Sequence, residues 1–405
     1  MSGASATRGT FGKASVRDAD VEGRAVLLRA DLNVPLDDGR FTDDARIRAA
    51  LPTIELLRDR GARTIVVSHL GRPDGVDPAL SMAPVAARLG ELLDADVSVA
   101  SAVVGGEVES QAAELDAGEV LMLENSRFEA GETENDPELA QRLAALADVF
   151  VNDAFGAAHR AHATTEGVAH HLPAYAGLLL EREVRELTAV RDDPERPLCV
   201  ALGGAKVSDK IGPLSAFVDR ADRILIGGAM CFSFFRAQGK DTGDSLVEEE
   251  GVTMAARVLA SAEDARAQIE LPVDLVIAER FDADAEPRAL DSVEVPDGWI
   301  GLDIGPRTAA AYAGAIGEAG TVFWNGPMGA FELPPFAAGT RAVAEAVAEA
   351  PGTTVVGGGD SAAALAEFGL VDSVDWLSTG GGASLELMEG RDLPGVEALR
   401  DREDT

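Results

Sequence analysis

Residues 199–213 read CVALGGAKVSDKIGP, and the order of residue types in them sets the fold class. The apolar run Leu198–Leu202 reads as a buried strand and Gly203-Gly204 as a tight turn. Lys206 and Lys210, four apart, then read as two ammonium groups on one face of a helix's first turn. The whole chain holds only four lysines (Lys13, Lys206, Lys210, Lys240), so this pair points to mobile charges aimed at an anion. The bland alternative is an amphipathic helix start whose lysines are merely solvated.

Outward from this stretch the same alternation recurs. In the first half, strand-like runs at Ala25–Arg29, Thr64–Ser68, Val120–Leu123 and Val149–Val151 alternate with helical patterns such as Ala45–Arg60 and Pro137–Ala147. A second series runs through Leu198–Leu202, Arg223–Ile226, Leu275–Ile277, Thr321–Trp324 and Thr353–Val356. Strand, helix, strand at this spacing makes parallel βαβ units. The fold class expected is α/β, with two Rossmann-like doubly wound parallel-sheet domains joined by a hinge helix. The join is placed in Leu172–Pro197, where a helical segment, Ala176–Val190, leads into the polar RDDPERP. Domains are expected over 1–180 and 181–390, with a closing segment, 391–405, packing back on the first domain.

In a parallel sheet the residues just after each strand share one edge, where ligands of open α/β folds bind. In the first half these are Asp31 and Asn33, then His69 and Arg72, then Asn125 and Arg127, then Asn152, Asp153, His159, Arg160 and His162. Arg46, in the turn opening the first helix, can join them. A ring of Arg, His and Asn predicts a small anionic ligand. The second half carries glycine at the same places: Gly227-Gly228, Asn325-Gly326-Pro327-Met328-Gly329, Gly357–Gly359 and Gly380–Gly382. Such turns let backbone N–H groups approach phosphate oxygens, which predicts a nucleotide.

No GxxxxGK[ST] motif occurs, so phosphates must be held by helix ends and by Lys206 and Lys210. Gly357-Gly358-Gly359-Asp360-Ser361-Ala362 fits a G-x-G-x-x-A dinucleotide turn, which by itself supports a nicotinamide-dependent oxidoreductase. Asp360 would then repel the pyrophosphate. Magnesium reverses that sign, because it takes one carboxylate plus phosphate oxygens, so Asp360 favours a magnesium–nucleoside phosphate.

Composition narrows the partners. With 70 acidic against 35 basic residues the net charge is −35, which disfavours nucleic acid and anionic membranes. Self-repulsion of that size is relieved by screening, since the Debye length falls to about 3 Å at 1 M salt; adaptation to a high-salt cytoplasm is expected. No apolar run is long enough to span a bilayer, and the two cysteines, Cys199 and Cys231, offer no disulfide framework, as in a reducing compartment. A cytoplasmic monomer is expected.

The motifs LLRADLNVPL (27–36), SHLGRP (68–73), LENSRF (123–128), FVNDAFGAAHRAHAT (150–164), LGGAKVSDKI (202–211), VFWNGPMGAFE (322–332), VVGGGDSA (355–362) and STGGGASLELMEGRDLPGVEAL (378–399) occur in the order and spacing of one family. The sequence resembles the phosphoglycerate kinases over essentially its whole length. The resemblance implies reversible phosphoryl transfer between ATP and the carboxylate of 3-phosphoglycerate, giving ADP and 1,3-bisphosphoglycerate, with magnesium accompanying the nucleotide and hinge closure between two domains. It assigns Asp31, Leu32, Asn33, Arg46, His69, Leu70, Gly71, Arg72, Arg127 and Arg160 to the phosphoglycerate. It assigns Gly204, Ala205, Lys206, Lys210, Asn325, Pro327, Glu332, Gly358, Gly359, Asp360 and Ser361 to the nucleotide, with Asp360 toward magnesium. Ser361 stands where the family often has Thr, and residues before about Val16 match nothing and are expected to form a loosely packed tail.

An acceptor carboxylate is already ionised at neutral pH and needs no general base. Arg46, Lys206 and Lys210 are therefore expected to act by neutralising charge on the transferring group, with the Gly380–Gly382 backbone adding N–H donors. His69, His159 and His162 are expected as hydrogen-bond donors or structural groups. A rival, a non-catalytic binding protein of the same fold, predicts gaps among these charged residues, and the sequence has none.

Overall fold

A computed structural model describes residues 11–37, 40–41 and 43–404, which divide into two compact units, 11–185 with 392–404, and 186–391. The first is built on six parallel strands: β1 (Ala25–Arg29), β2 (Arg63–Val67), β3 (Val97–Val99), β4 (Val120–Met122), β5 (Val149–Asn152) and β6 (Ala174–Ala176), in the order β3-β4-β2-β1-β5-β6. β1 is wholly buried, because a central strand covered on both faces must be apolar throughout. Its Val26, Leu27 and Leu28 lie opposite Thr64, Ile65 and Val66 of β2, and opposite Val149, Phe150 and Val151 of β5.

Five helices complete this part of the chain: α1 (Ala45–Asp59), α2 (Ala83–Leu93), α3 (Gly106–Glu114), α4 (Pro137–Ala144) and α5 (Leu178–Asp192). α1 buries Ile47, Ala50, Ile54 and Leu57, a stripe at helical spacing. Asp136 caps α4, accepting from the Leu139 amide at 2.8 Å, with Pro137 at its first position. The division between the units falls inside α5.

The second unit repeats the plan. Its parallel sheet runs β9-β8-β7-β13-β14-β15, where β7 is Leu198–Leu202, β8 Arg223–Ile226, β9 Gln268–Glu270, β13 Thr321–Asn325, β14 Thr353–Gly357 and β15 Trp376–Leu377. The helices are α6 (Ile211–Val218), α7 (Cys231–Ala237), α8 (Glu249–Ala262), α9 (Pro306–Gly317), α10 (Ala338–Glu349), α11 (Gly359–Phe368) and α12 (Gly382–Met388).

Three expectations need correction. Leu275–Ile277 does not join the parallel series: as β10 (Leu275–Ala278) it pairs antiparallel with β11 (Arg288–Leu290) and β12 (Ile300–Ile304) in a separate sheet. The edge place in the main sheet is taken by β9, whose polar, half-exposed QIE gave no apolar run to read. Of the expected loose tail, residues 1–10 lie outside the described residues and 12–15 are not loose. Ala14 is fully buried, its N–H donates to the Arg400 carbonyl at 2.8 Å, and its carbonyl accepts from the Ala176 amide on β6 at 2.9 Å. Lys206 and Lys210 precede α6 instead of occupying its first turn, because Ser208 between them is held by Glu248 and the chain closes a turn there, Lys210 N–H to Val207 carbonyl.

Residues 392–404 belong to the first unit. α13 (Pro394–Glu397) exchanges backbone bonds with it: Gly395 donates to the Ala158 carbonyl at 2.8 Å and accepts from Asn152 Nδ2 at 2.9 Å.

Candidate functional site

In the first unit the loops following β1, β2 and β4 emerge on one edge and are tied to one another. Ser68 Oγ accepts from the Leu32 amide at 3.0 Å, and Asn33 Oδ1 from the Gly71 amide at 2.8 Å. Asn125 Oδ1 accepts from Leu70 and Arg127 amides at 3.1 Å each, while Arg127 Nη1 donates to the Gly71 carbonyl. Short polar side chains at strand ends thus fix three loops in one arrangement. The cost is that Leu32 and Leu70 point into the core, so only their backbone can face a ligand.

On this frame Asp31 accepts a 2.7 Å bond from Arg46 Nη1. Burial opposes ionisation of Asp31, but Arg46, His69 and Arg29 outweigh it and hold the carboxyl below its usual range. His69 is depressed to about 3 by burial and by the Arg29 charge, and His162 to about 4 by burial with Arg29 and Arg127. Both rings are neutral at pH 7.

Arg72, Arg127 and Arg160 line one cavity of about 540 Å³. Burial, followed by the nearby Arg160 and Arg29, makes the charged form of Arg127 costlier than usual. Among the described residues none of these three guanidinium groups has a carboxylate within ion-pairing distance. Asp74, Glu129 and Glu134 also line this cavity; converging cations that weaken one another without a paired carboxylate suit a multiply charged anion. Arg160 Nε donates to His159 Nε2 at 3.1 Å, which places His159 as a support for Arg160.

In the second unit the strand order reverses between β7 and β13, the point where open α/β sheets bind ligands. The turns after these strands interlock: the Gly203 amide donates to the Asn325 carbonyl and the Gly204 amide to the Pro327 carbonyl, both at 3.0 Å. A Cβ on Gly203 would stand 2.0 Å from the Pro327 oxygen, so no other residue fits. Lys210 Nζ donates to Asn325 Oδ1. Burial pulls the Lys210 pKa down, against Asp209 and Asp360. Lys206 is exposed, and its charge acts on Glu248.

A cavity of about 450 Å³ is lined by Gly204, Ala205, Pro327, Glu332 and Asp360, all anticipated, and by Leu246 and Phe281, which sequence reasoning missed. Both are large, apolar and 58% exposed; in a sequence they are indistinguishable from core residues. A second, more apolar space of about 360 Å³ shares Gly228, Leu246 and Phe281 and extends to Phe232, Ile300 and Leu302.

Gly358 precedes α11 at φ +92, and Asp360 is exposed in that helix's first turn. Ser361 is buried, its Oγ accepting from the Gly326 amide at 2.6 Å, so it holds the loop after β13. Gly381, at φ +51, precedes α12, where Gly380 N–H turns back to Ser378 Oγ at 3.2 Å.

The family model described as phosphoglycerate kinase matches residues 16–391. Phosphoglycerate kinase of Rubrobacter xylanophilus is 54% identical over 393 residues, covering 97% of this chain and 99% of the relative. That of Moorella thermoacetica is 54% identical over 391 residues, covering 96% and 100%. Among solved structures, phosphoglycerate kinase from Coxiella burnetii superposes with a TM-score of 0.87 at 40% identity, covering 95% of this chain and 98% of the other. The Pyrococcus horikoshii enzyme gives 0.83 at 33%, with the same coverage. The oxidoreductase reading of the Gly357–Gly359 turn finds no support in these matches.

Proposed function

This chain belongs to the phosphoglycerate kinase family, and on that premise we propose which of its residues carry the transfer. It is a phosphotransferase of glycolysis, moving a phosphoryl group reversibly between ATP and the carboxylate of 3-phosphoglycerate.

The acceptor site is the edge of the first unit. Arg72, Arg127 and Arg160 take the phosphate of 3-phosphoglycerate. Asp31, Asn33, Arg46, His69 and the backbone at Leu32, Leu70 and Gly71 take its carboxylate end. The observation that carries this reading is the convergence on one cavity of three arginines, none of them ion-paired to a carboxylate among the described residues. The donor site is the turn region of the second unit, with Gly204, Ala205, Pro327, Glu332 and the start of α11 at Gly358 and Gly359 around the nucleotide. The apolar space beside Leu246 and Phe281 receives the base.

A single exposed carboxylate, Asp360, is the donor set that magnesium takes when nucleotide phosphates supply the remaining oxygens. Among the described residues no cluster of three or more His, Cys, Asp or Glu could hold a metal by itself. The residues present fit a metal that arrives with its nucleotide, and bound there it would offset charge on the phosphate oxygens.

The chemistry asks for little beyond position and charge. The attacking carboxylate is ionised without help, and the neutral His69 and His162 are not needed as bases. Arg46 orients that carboxylate and screens its charge from the incoming phosphoryl group. Lys210, steadied by Asn325, and Lys206 neutralise charge on the phosphoryl oxygens as the bond to the leaving ADP lengthens.

We also read the −35 net charge as adaptation to high salt and the two buried, unpaired cysteines as fitting a reducing cytoplasm; a monomer suffices for the chemistry. No helix among the described residues is long and apolar enough to cross a membrane. A coupled assay of ADP formation from ATP, magnesium and 3-phosphoglycerate in molar potassium chloride tests the proposal. Turnover that persists without 3-phosphoglycerate or after Asp360→Ala would overturn the acceptor or the metal assignment respectively.

A further inference from the structure

Arg29 closes β1 and is 1% exposed, yet none of the binding roles above uses it. Its guanidinium is engaged on every side. Nε donates to Thr164 Oγ1 at 2.8 Å, Nη1 donates to the Ala30 carbonyl, and Nη2 stands 2.9 Å from His69 Nδ1. The counter-charge is Glu132, also 1% exposed, reached through Thr164. That hydroxyl accepts from Arg29 and donates to Glu132 Oε1 at 2.6 Å, while the Thr164 amide donates to Glu132 Oε2 at 3.0 Å. An uncompensated buried guanidinium would be expensive; bridged to a carboxylate, it is tolerated.

A guanidinium has donors only and keeps its proton in proteins. Its contact with His69 Nδ1 therefore has one polarity: Nη2–H donates and Nδ1 accepts. A neutral imidazole that accepts at Nδ1 carries its proton on Nε2. We propose that Arg29 is a positioning residue that locks His69 as the Nε2–H tautomer, making that ring a fixed hydrogen-bond donor to 3-phosphoglycerate.

The charged groups acting on His69 come from three elements besides β1. They are Asp31 on the loop after β1, Arg46 on α1 and Arg127 after β4, and of these only Asp31 favours the imidazolium. Burial first, and then three guanidinium groups against one carboxylate, keep the ring from taking a second proton. Arg29 alone, through the bond to Nδ1, also decides where the first one sits. The proposal rests on the assignment of His69 to the acceptor substrate. Its direct readout, the ring tautomer, is independent of turnover, so its failure can be told apart from failure of that assignment.

The test is a two-bond proton–nitrogen correlation spectrum of the full chain labelled with ¹⁵N-histidine, in molar potassium chloride at pH 7, with the His69 signals identified by their loss in His69→Gln. We expect one species, protonated at Nε2 and not at Nδ1. A ring protonated at Nδ1, or at both nitrogens, overturns the proposal. Arg29→Met alone would strand Glu132, so it is combined with Glu132→Gln. In the double variant the second tautomer is expected to appear and the KM for 3-phosphoglycerate to rise about tenfold, the effect of losing one hydrogen bond. Arg29→Lys keeps a charge and a donor and is expected to retain the Nε2–H form. A double variant with an unchanged tautomer or an unchanged KM, or an Arg29→Lys protein protonated at Nδ1, would show that Arg29 does not set the ring. Should the double variant not fold, the wild-type and Arg29→Lys spectra still decide.

Discussion

Asp31 Oδ2 and Arg46 Nη1 lie 2.7 Å apart, linking the loop that ends β1 to the first turn of α1. The pair does more than join two elements. Arg46 is about one-third exposed whereas Asp31 is buried, so the carboxylate orients a guanidinium whose other donors remain open to a ligand. Arg46→Ala is expected to lower kcat by roughly 10²–10³, the usual loss of one charge-stabilising donor. Asp31→Asn keeps the shape but loosens the orientation and is expected to raise the KM for 3-phosphoglycerate with a smaller effect on kcat. Steady-state kinetics on both variants check this, and an Arg46→Ala enzyme with wild-type kcat would remove Arg46 from the mechanism.

Lys210 reaches Asn325 across the point where the second sheet reverses its strand order. The lysine is half-buried and its ammonium is less stable there than in water, which suits a group that gains from an arriving phosphoryl charge. Lys210→Ala is expected to cost roughly 10²–10³ in kcat. Lys210→Arg is not expected to rescue it, because a planar fork cannot occupy the socket of a compact ammonium. Calorimetry with ADP–magnesium should show a smaller change in binding than in turnover. Full activity of Lys210→Arg would mean that only net charge matters at this position.

Much of this was legible in the sequence for a plain reason. Leu198–Leu202, Arg223–Ile226 and Ala25–Arg29 are the observed strands to the residue, because central parallel strands are buried on both faces and leave unbroken apolar runs. That the loops after β1, β2 and β4 share one edge was legible too, since parallel strands deliver their ends to one side. The edge strands Val97–Val99 and Gln268–Glu270 were not, being short and half-exposed. Lys206 and Lys210 were misplaced because i, i+4 spacing cannot reveal that Glu248, forty residues on, holds the intervening Ser208. Arg29 reads as the polar end of an apolar run, and its partners Thr164 and Glu132 lie more than a hundred residues away.

Two buried carboxyls each contribute a pH dependence of stability with a definite sign. Burial raises Asp303 to about 7 and Asp153 to about 6, against backbone amides that favour their charged forms. In the unfolded chain both titrate near 3.9, so between roughly pH 4 and 7 the native state holds more protons at these two groups and their contribution to stability falls as pH rises, opposed over the same range by the depressed His69 and His162. Above pH 7 the contribution levels off. Asp303→Asn removes one titration: the variant is destabilised relative to wild type at pH 5, and the gap narrows by pH 8. Denaturation midpoints across this range in constant high salt measure it, and a pH-independent gap would place the Asp303 titration elsewhere.

A net charge of −35 also predicts how salt acts. Ion pairs such as Arg24–Asp20 and Arg280–Asp282 are exposed and weaken on screening, but there are twice as many acidic as basic groups to repel one another. Screening must therefore stabilise on balance. The melting midpoint is expected to rise from 0.1 M to 2 M potassium chloride. A flat or falling midpoint would show that the acidic surface is no adaptation to salt.

The segment 392–404 seals the open edge of the first unit. Leu393 is 1% exposed and Leu399 3%. Arg400 N–H donates to the Ala174 carbonyl on β6 at 3.0 Å, and its guanidinium lies 5.8 Å from the Tyr175 ring centroid. Lys13, on the opposite side of this seam, pairs with Asp401 at 2.9 Å. An edge strand left bare would expose unpaired amides, so this closure is part of the fold of the first unit although it comes from the far end of the sequence. Leu393→Ala is expected to cost about 2–5 kcal/mol, the usual range for a buried leucine. The loss should be local: amide hydrogen exchange in the full chain should quicken over 174–176 and 14–16 and stay unchanged in α9 and α10 of the other unit. Uniform acceleration across both units, or none at 174–176, would mean that the seam does not hold this edge.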